Sequence, residues 1–277
     1  MLTWKLRVNT TNSINGVALK ILVTFALENE FAPWRSMHNF HDATWGNANV
    51  SITEISGADI AVLLTGAGPR AAREAISRIV WSESGNLEYC ISAGLAGALR
   101  SEYSIAQVLA GEEVVSEGAR DDDGANSVVA SSASLISFAA ECGATVAGNF
   151  YSAERAISRA DEKKHLGNAY EAVEMESFEI LSAASASGVP AAAIRSISDL
   201  AGEDLPLDMN EVFSDEGQVS IPRVIGQVAR HPQSLPGLIR LGQQSKLAAE
   251  SLAKFLDRYI AKLVASAQPI EWKAAAR

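Results

Sequence analysis

Cysteine is nearly absent: Cys90 and Cys142 are the only two in 277 residues, far apart and without a CxxC spacing. That excludes a disulfide-dense secreted framework and a thiolate zinc site, although one bridge between the two stays open. No apolar run is long enough to span a bilayer. A basic stripe is also missing, since 33 acids outweigh 23 Lys and Arg for a net charge of −10, and the densest cationic stretch is "EKK" at 162–164. Binders of phosphate backbones need clustered cations to release counterions, so nucleic acid is not an expected partner. Of four histidines, His38 and His41 have i,i+3 spacing but no third ligand, and His165 and His231 stand alone, so no metal site is expected. No Gly-Lys-Ser/Thr loop and no GxSxG elbow occurs. Lys5 and Arg7 precede a polar stretch, 9–16, and Lys20 interrupts the apolar residues beyond it, which argues against a signal peptide and for a cytoplasmic protein.

What is present is a folded-protein composition, with 48% apolar residues in alternating segments. Residues 1–19 read as a polar leader, and 20–277 as one domain with a helical extension from about 221. Strands are expected at "ILVTFAL" (21–27), "NVSITEI" (49–55), "DIAVLLT" (59–65), "LEYCISA" (87–93), "EEVVS" (112–116), "ATVAG" (144–148), "EAVEM" (171–175) and "AAAIRSIS" (191–198). Helical patterns follow "TGAG" (65–68), fill 132–143 and 176–188, and dominate the C-terminus. "GLAGAL" (94–99) reads as a second glycine turn and "DDDGANS" (121–127) as an exposed acidic loop. Alternating strands and helices imply an α/β three-layer sandwich, a mixed central sheet flanked by helices with a long C-terminal helix. In such folds ligands sit at the carboxyl ends of strands.

Four acidic or glycine-rich stretches fall at such ends. "TGAG" and "AGLAG" (93–97) could admit a ligand to backbone N–H groups or be plain tight turns. In "LENE" (27–30), Glu28 and Glu30 fit either a solvated helix start or a carboxylate that takes a proton from water. In "VEMES" (173–177), Glu174 and Glu176 share a face if the strand continues, with Met175 opposite. Buried acids need donors, and paired ligand hydroxyls would supply them above a deformable thioether. Glu171 reads as solvent-facing. In "RSISDLAGED" (195–204), Asp199 is either a turn cap or a general acid oriented by Ser198.

In this order, "ALENE", "TGAG", "AGLAG", "VEMES" and "RSISDLAGED" resemble the nucleoside phosphorylase/nucleosidase superfamily over about residues 20–204, and within it the methylthioadenosine/S-adenosylhomocysteine nucleosidases. The resemblance implies hydrolysis of the N-glycosidic bond of a 5′-substituted purine nucleoside, adenine as the base, no cofactor, and a homodimer. It assigns water activation to Glu30 and protonation of purine N7 to Asp199, oriented by Ser198. Glu176 would receive the ribose hydroxyls, with Glu174 beside it and Met175 beneath the ring. Gly94, Ala96 and Gly97 would line sugar and base, and Ala156 and Ile157 would border the base.

This sequence departs from the family at Ala156, where a Phe stacks on the base, and at Leu95, where a small hydroxyl residue is common. Its C-terminal "RHPQSLPGLIRLG" is similar instead to the hopanoid-associated phosphorylase-like subgroup, which implies a bulky, possible lipid-linked 5′ group. No "GDPxR" turn occurs and Ser92 stands at one phosphate-arginine position, with Arg35, Arg70 and Arg120 as the remaining loop cations. Phosphorolysis is therefore the alternative to hydrolysis, and a nucleoside-binding protein without catalysis is the second alternative.

Overall fold

The computed structural model describes residues 19–81, 87–121, 123–214 and 217–267. The expected polar leader, apart from its last residue, lies outside them. The elements run β1 (Leu19–Phe25), α1 (Glu28–Arg35), β2 (His41–Trp45), β3 (Ala48–Ile55), β4 (Ala58–Leu64), α2 (Pro69–Ser77), β5 (Leu87–Ala98), β6 (Val108–Arg120), β7 (Asn126–Ala130) and α3 (Ala133–Glu141). Next in the chain are β8 (Thr145–Ser152), α4 (Ala160–Leu166), β9 (Ala172–Glu174), α5 (Ser177–Ala186), β10 (Ala191–Asp199), α6 (Met209–Val212), α7 (Ile221–Arg230) and α8 (Leu235–Ala267).

All ten strands join one mixed sheet flanked by helices, as the α/β alternation predicts. Part of the sheet curls until it closes. β5 pairs with β10, β10 with β6, β6 with β8, β8 with β9, and β9 returns to β5. From this ring β1, β4, β3 and β2 extend outward, and β1, β4, β5 and β10 run parallel. Their carboxyl ends therefore converge on one rim.

Glycines 94 and 97 do not make a turn: "GLAGA" continues β5. The reason is steric, because a Cβ on Gly97 would stand 2.8 Å from Asp199 Oδ2 and 3.2 Å from Val173 Cγ1. Glycine here lets neighbouring strands approach rather than reversing the chain. β2 and α4 fall in polar stretches whose apolar periodicity is too weak to announce them, and β6 runs well past the expected five residues. The acidic loop is a hairpin turn with Gly124 at φ +80°, joining β6 to β7.

One core layer lies between the sheet and α1, α3 and α8, and the other under α2 and α5. Phe25, Phe31 and Trp34 pack as an aromatic cluster, with Phe25 and Phe31 centroids 5.5 Å apart. Trp34 Nε1 donates to Asp257 on α8 at 2.7 Å, and His38 Nε2 meets the same carboxylate. The long C-terminal helix thus fixes α1, the helix that carries Glu30. Both cysteines are free thiols. Among the described residues no helix is long and apolar enough to cross a membrane.

Candidate active site

Three buried carboxylates and one buried guanidinium meet at the rim. Glu30 folds back over the start of its own helix, so that Oε2 accepts from Ala26 N at 3.0 Å and Leu27 N at 3.3 Å. Its Oε1 accepts from Leu95 N of β5 at 3.3 Å. Burial raises its proton affinity above the ordinary value, against the opposing pull of Arg195 and these N–H groups. Glu28, by contrast, is exposed and paired with Arg35.

Arg195 is the centre of the cluster, and the sequence reading assigns it no role. From β10 its Nη2 donates to Glu174 Oε2 at 2.6 Å and lies 3.8 Å from Glu176 Oε2. Nη1 donates to the carbonyls of Ser92, 2.8 Å, and Ile194, 3.1 Å, while Nη2 also reaches Ser92 Oγ at 3.2 Å. The signal was a lone cation inside a strand otherwise buried throughout, because such a charge must be paired. Gly94 faces the gap between the two charges: a Cβ there would stand 3.4 Å from Glu30 Oε2 and 3.5 Å from Arg195 Nη1.

Within "VEMES" the two acids have different tasks. Glu174 Oε2 accepts from the N–H groups of Glu176, 3.0 Å, and Ser177, 2.7 Å, and so caps α5 while holding Arg195. Glu176 is the more accessible, with Oε1 accepting from Gly68 N at 2.8 Å. Gly68 sits at φ +96°, the left-handed backbone that glycine adopts freely, which is how "TGAG" aims an N–H at the acid. Burial, followed by the neighbouring Glu174 charge, pushes the Glu176 carboxyl up to about 8. Met175 reaches toward the same loop, its Cε 3.6 Å from a Cβ built on Gly68.

The second half of the site is built on the end of β10. Ser198 Oγ donates to Asp199 Oδ1 at 2.9 Å, and Oδ2 accepts from Lys163 Nζ. Lys163, on α4, has no solvent exposure and also donates to the carbonyls of Leu200 and Glu203, each at 3.1 Å. It too is absent from the sequence-derived set, hidden in the "EKK" that reads as a solvated charge run. Ser198 Oγ contacts the Ala96 carbonyl at 3.3 Å, which ties this pair to β5.

Glu30, Gly94, Glu174, Met175 and Glu176 are therefore brought to the Arg195 cluster, and Ala96, Gly97, Ser198 and Asp199 to the Lys163 pair. Ile157 is buried in a small apolar cluster with Tyr151 and Val173, against which Met175 packs. Ala156 sits outside that cluster, its N–H donating to Asn210 Oδ1 at 2.8 Å and its carbonyl accepting from Asn210 Nδ2 at 3.2 Å. It borders an open cavity of about 520 Å³ that Asn210, Arg155 and Arg230 also line. Glu171 is not simply solvent-facing: Tyr103 OH donates to it and Arg100 lies 3.8 Å away, so it braces the segment entering β9.

Solved structures share this fold. A 5′-methylthioadenosine/S-adenosylhomocysteine nucleosidase from Helicobacter pylori superposes with a TM-score of 0.67 at 18% identity, covering 88% of this chain and 98% of its own. Futalosine hydrolase from the same organism gives 0.67 and 18%, covering 88% and 97%. The Neisseria meningitidis 5′-methylthioadenosine/S-adenosylhomocysteine nucleosidase gives 0.65 and 21%, covering 87% and 98%. No curated protein sequence matches the chain significantly. The family model described as the phosphorylase superfamily matches residues 20–229, most of the chain and every element of the site, and the chain belongs to that superfamily.

Proposed function

We propose that this protein hydrolyses the N-glycosidic bond of an adenine nucleoside carrying a 5′ substituent. The carrying observation is the set of acids at the rim: Glu30, Glu174 and Glu176 converge on one guanidinium that is already engaged by Glu174, two carbonyls and the Ser92 hydroxyl. That arrangement suits a cationic, oxocarbenium-like sugar and opposes a phosphate dianion. Of the three loop cations, Arg35 is paired with Glu28 and Asp42 and Arg120 is bonded to Asn126 and the Glu117 carbonyl, which leaves Arg70, beside Gly68 at the start of α2, as the cation the phosphorolysis alternative would use. The structural neighbours whose names specify methylthioadenosine, S-adenosylhomocysteine or futalosine support the same reaction class.

In the proposed reaction Asp199 first takes up a proton from solvent and passes it to N7 as the C–N bond breaks and the bonding pair leaves with the base. The aspartate left behind is stabilised by the Lys163 ammonium and the Ser198 hydroxyl. Glu176 holds the ribose hydroxyls over Met175. Water adds to the anomeric carbon from the opposite face and loses its proton to Glu30, whose burial makes it a stronger base than an exposed carboxylate. General acid assistance of this kind contributes about 10²–10⁴ in rate.

The test is to incubate purified protein with 5′-methylthioadenosine, with and without phosphate, and to separate the products. Adenine and free sugar in phosphate-free buffer are expected, with turnover lost in Asp199→Asn. Ribose 1-phosphate formed only with phosphate would establish phosphorolysis instead. Ligand binding without turnover in the unmutated protein would establish a binding protein.

A further inference from the structure

α7 is amphipathic in the inverted sense. Its one buried residue is polar: Gln227, which donates to the Asp208 carbonyl at 2.9 Å and accepts from Asp208 N at 3.1 Å. Ile221 and Ile225, one helical turn apart, are 62% and 63% exposed. α8 repeats the pattern over its first turns. Its buried residues begin only at Ala248, and Leu235 and Ile239 are 46% and 55% exposed.

Each apolar row lies on the side of its helix away from the body of the protein. A position two residues along a helix lies about 200° around the axis, on the opposite side. Gln227 is two positions after Ile225, and Gly237 lies two from both Leu235 and Ile239. Gln227 sits on Asp208, and a Cβ on Gly237 would stand 2.9 Å from Pro206 Cβ, so both helices rest on the segment 206–208 with their apolar rows turned outward. Six of the ten large exposed apolar side chains among the described residues fall between Val219 and Leu247.

Charge identifies what covers this face. Residues 217–249 contain Arg223, Arg230, Arg240 and Lys246 and no Asp or Glu, in a chain of net charge −10. Arg223, Arg230, His231, Arg240 and Lys246 are all exposed, Arg223 donating to the Phe213 carbonyl. The ion pairs of Arg240 with Glu203 and Lys246 with Glu250 are loose, at 3.7 and 4.0 Å. A two-fold contact through this face would bring two patches of the same positive sign together. An anionic bilayer surface accepts both features, as isoleucine and leucine enter the acyl boundary and basic groups stay among the headgroups.

We propose that α7 and the first turns of α8 form a peripheral docking surface for anionic lipid membranes. This inference does not depend on the glycosidase reading. The test is flotation of the full chain with vesicles of phosphatidylcholine alone or with about one third phosphatidylglycerol. Binding to the anionic vesicles is expected to be at least tenfold stronger, and to weaken at about 0.5 M salt, where the Debye length is roughly 4 Å. Two independent pairs, Ile221→Glu with Ile225→Glu and Leu235→Glu with Ile239→Glu, are each expected to abolish it while circular dichroism stays unchanged, because the side chains are exposed. Arg230→Glu with Arg240→Glu is expected to cost about fivefold or more per position. Absence of flotation, equal binding to neutral vesicles, or indifference to both glutamate pairs overturns the proposal. So does dissociation of an oligomer by those pairs without any vesicle binding, which assigns the face to a second copy of the chain.

Discussion

Replacing Arg195 by methionine keeps most of the side-chain volume and removes the charge that holds the rim together. Arg195 is 1% exposed, and its guanidinium bonds Glu174 at 2.6 Å in addition to two carbonyls and the Ser92 hydroxyl. Arg195→Met leaves the Glu174 carboxylate buried with two backbone N–H donors and no cation. Removing one partner from a buried pair costs about 3–5 kcal/mol. In a chain of this size each kcal/mol moves the melting temperature by about 2–4 °C, so a fall of roughly 6–20 °C is expected. The assay is calorimetry at fixed pH and ionic strength on Arg195→Met, Glu174→Gln and the double variant. Since the double variant removes the Glu174 charge and leaves only Glu30 and Glu176 without the guanidinium, it should recover part of the loss. A single-variant shift below about 3 °C, or strict additivity in the double, would refute the claim that this ion pair organises the site.

Glu176 makes the fold sensitive to pH in a defined direction. Its folded proton affinity is raised from the usual 4.5 to about 8, so its contribution is complete below 4.5 and is lost as pH rises through 8. Glu176→Gln should therefore gain on the parent protein in melts run from pH 5 to 8.5, and a constant difference would contradict the assignment. Gly97→Ala drives a Cβ to 2.8 Å from Asp199 Oδ2, whereas Gly94→Ala meets its nearest atom at 3.4 Å. Turnover should fall about 10²-fold in the first and far less in the second, and equal losses would undo the packing argument. Lys163→Met leaves the Leu200 and Glu203 carbonyls and Asp199 without their shared donor. Its melting temperature should fall, and Asp199→Asn in the same chain should restore part of it; no restoration would show that the lysine acts by packing alone.

The acids of the site are legible in the sequence because buried carboxylates at strand ends violate the local apolar pattern. Glu30, Glu174, Glu176 and Asp199 all stand out in that way. Their cations are harder to read, for two different reasons. Arg195 lies in a run that reads as a strand, where the two-residue period says which face it occupies but not what it meets across β5. Lys163 sits 36 residues from Asp199 in a charged helix, and only the packing of α4 buries it. Gly94 and Gly97 read as turn formers because sequence shows a glycine's freedom and not the neighbour that requires it. The closure of five strands into a ring is invisible, since β5 pairs with β10 at a separation that no local pattern encodes.

That ring has a consequence for synthesis. β10 supplies both Arg195 and Asp199 and is the last strand to be made, whereas Glu30, Glu174 and Glu176 emerge earlier. Until it docks between β5 and β6, the nascent chain carries a set of acids with no counterion and two strands with open edges. Barrel closure and charge neutralisation are then one event. A ribosome-bound chain halted before Ala191 should remain protease-sensitive through its whole length, and strands made long before should become protected only once β10 and α8 have both emerged.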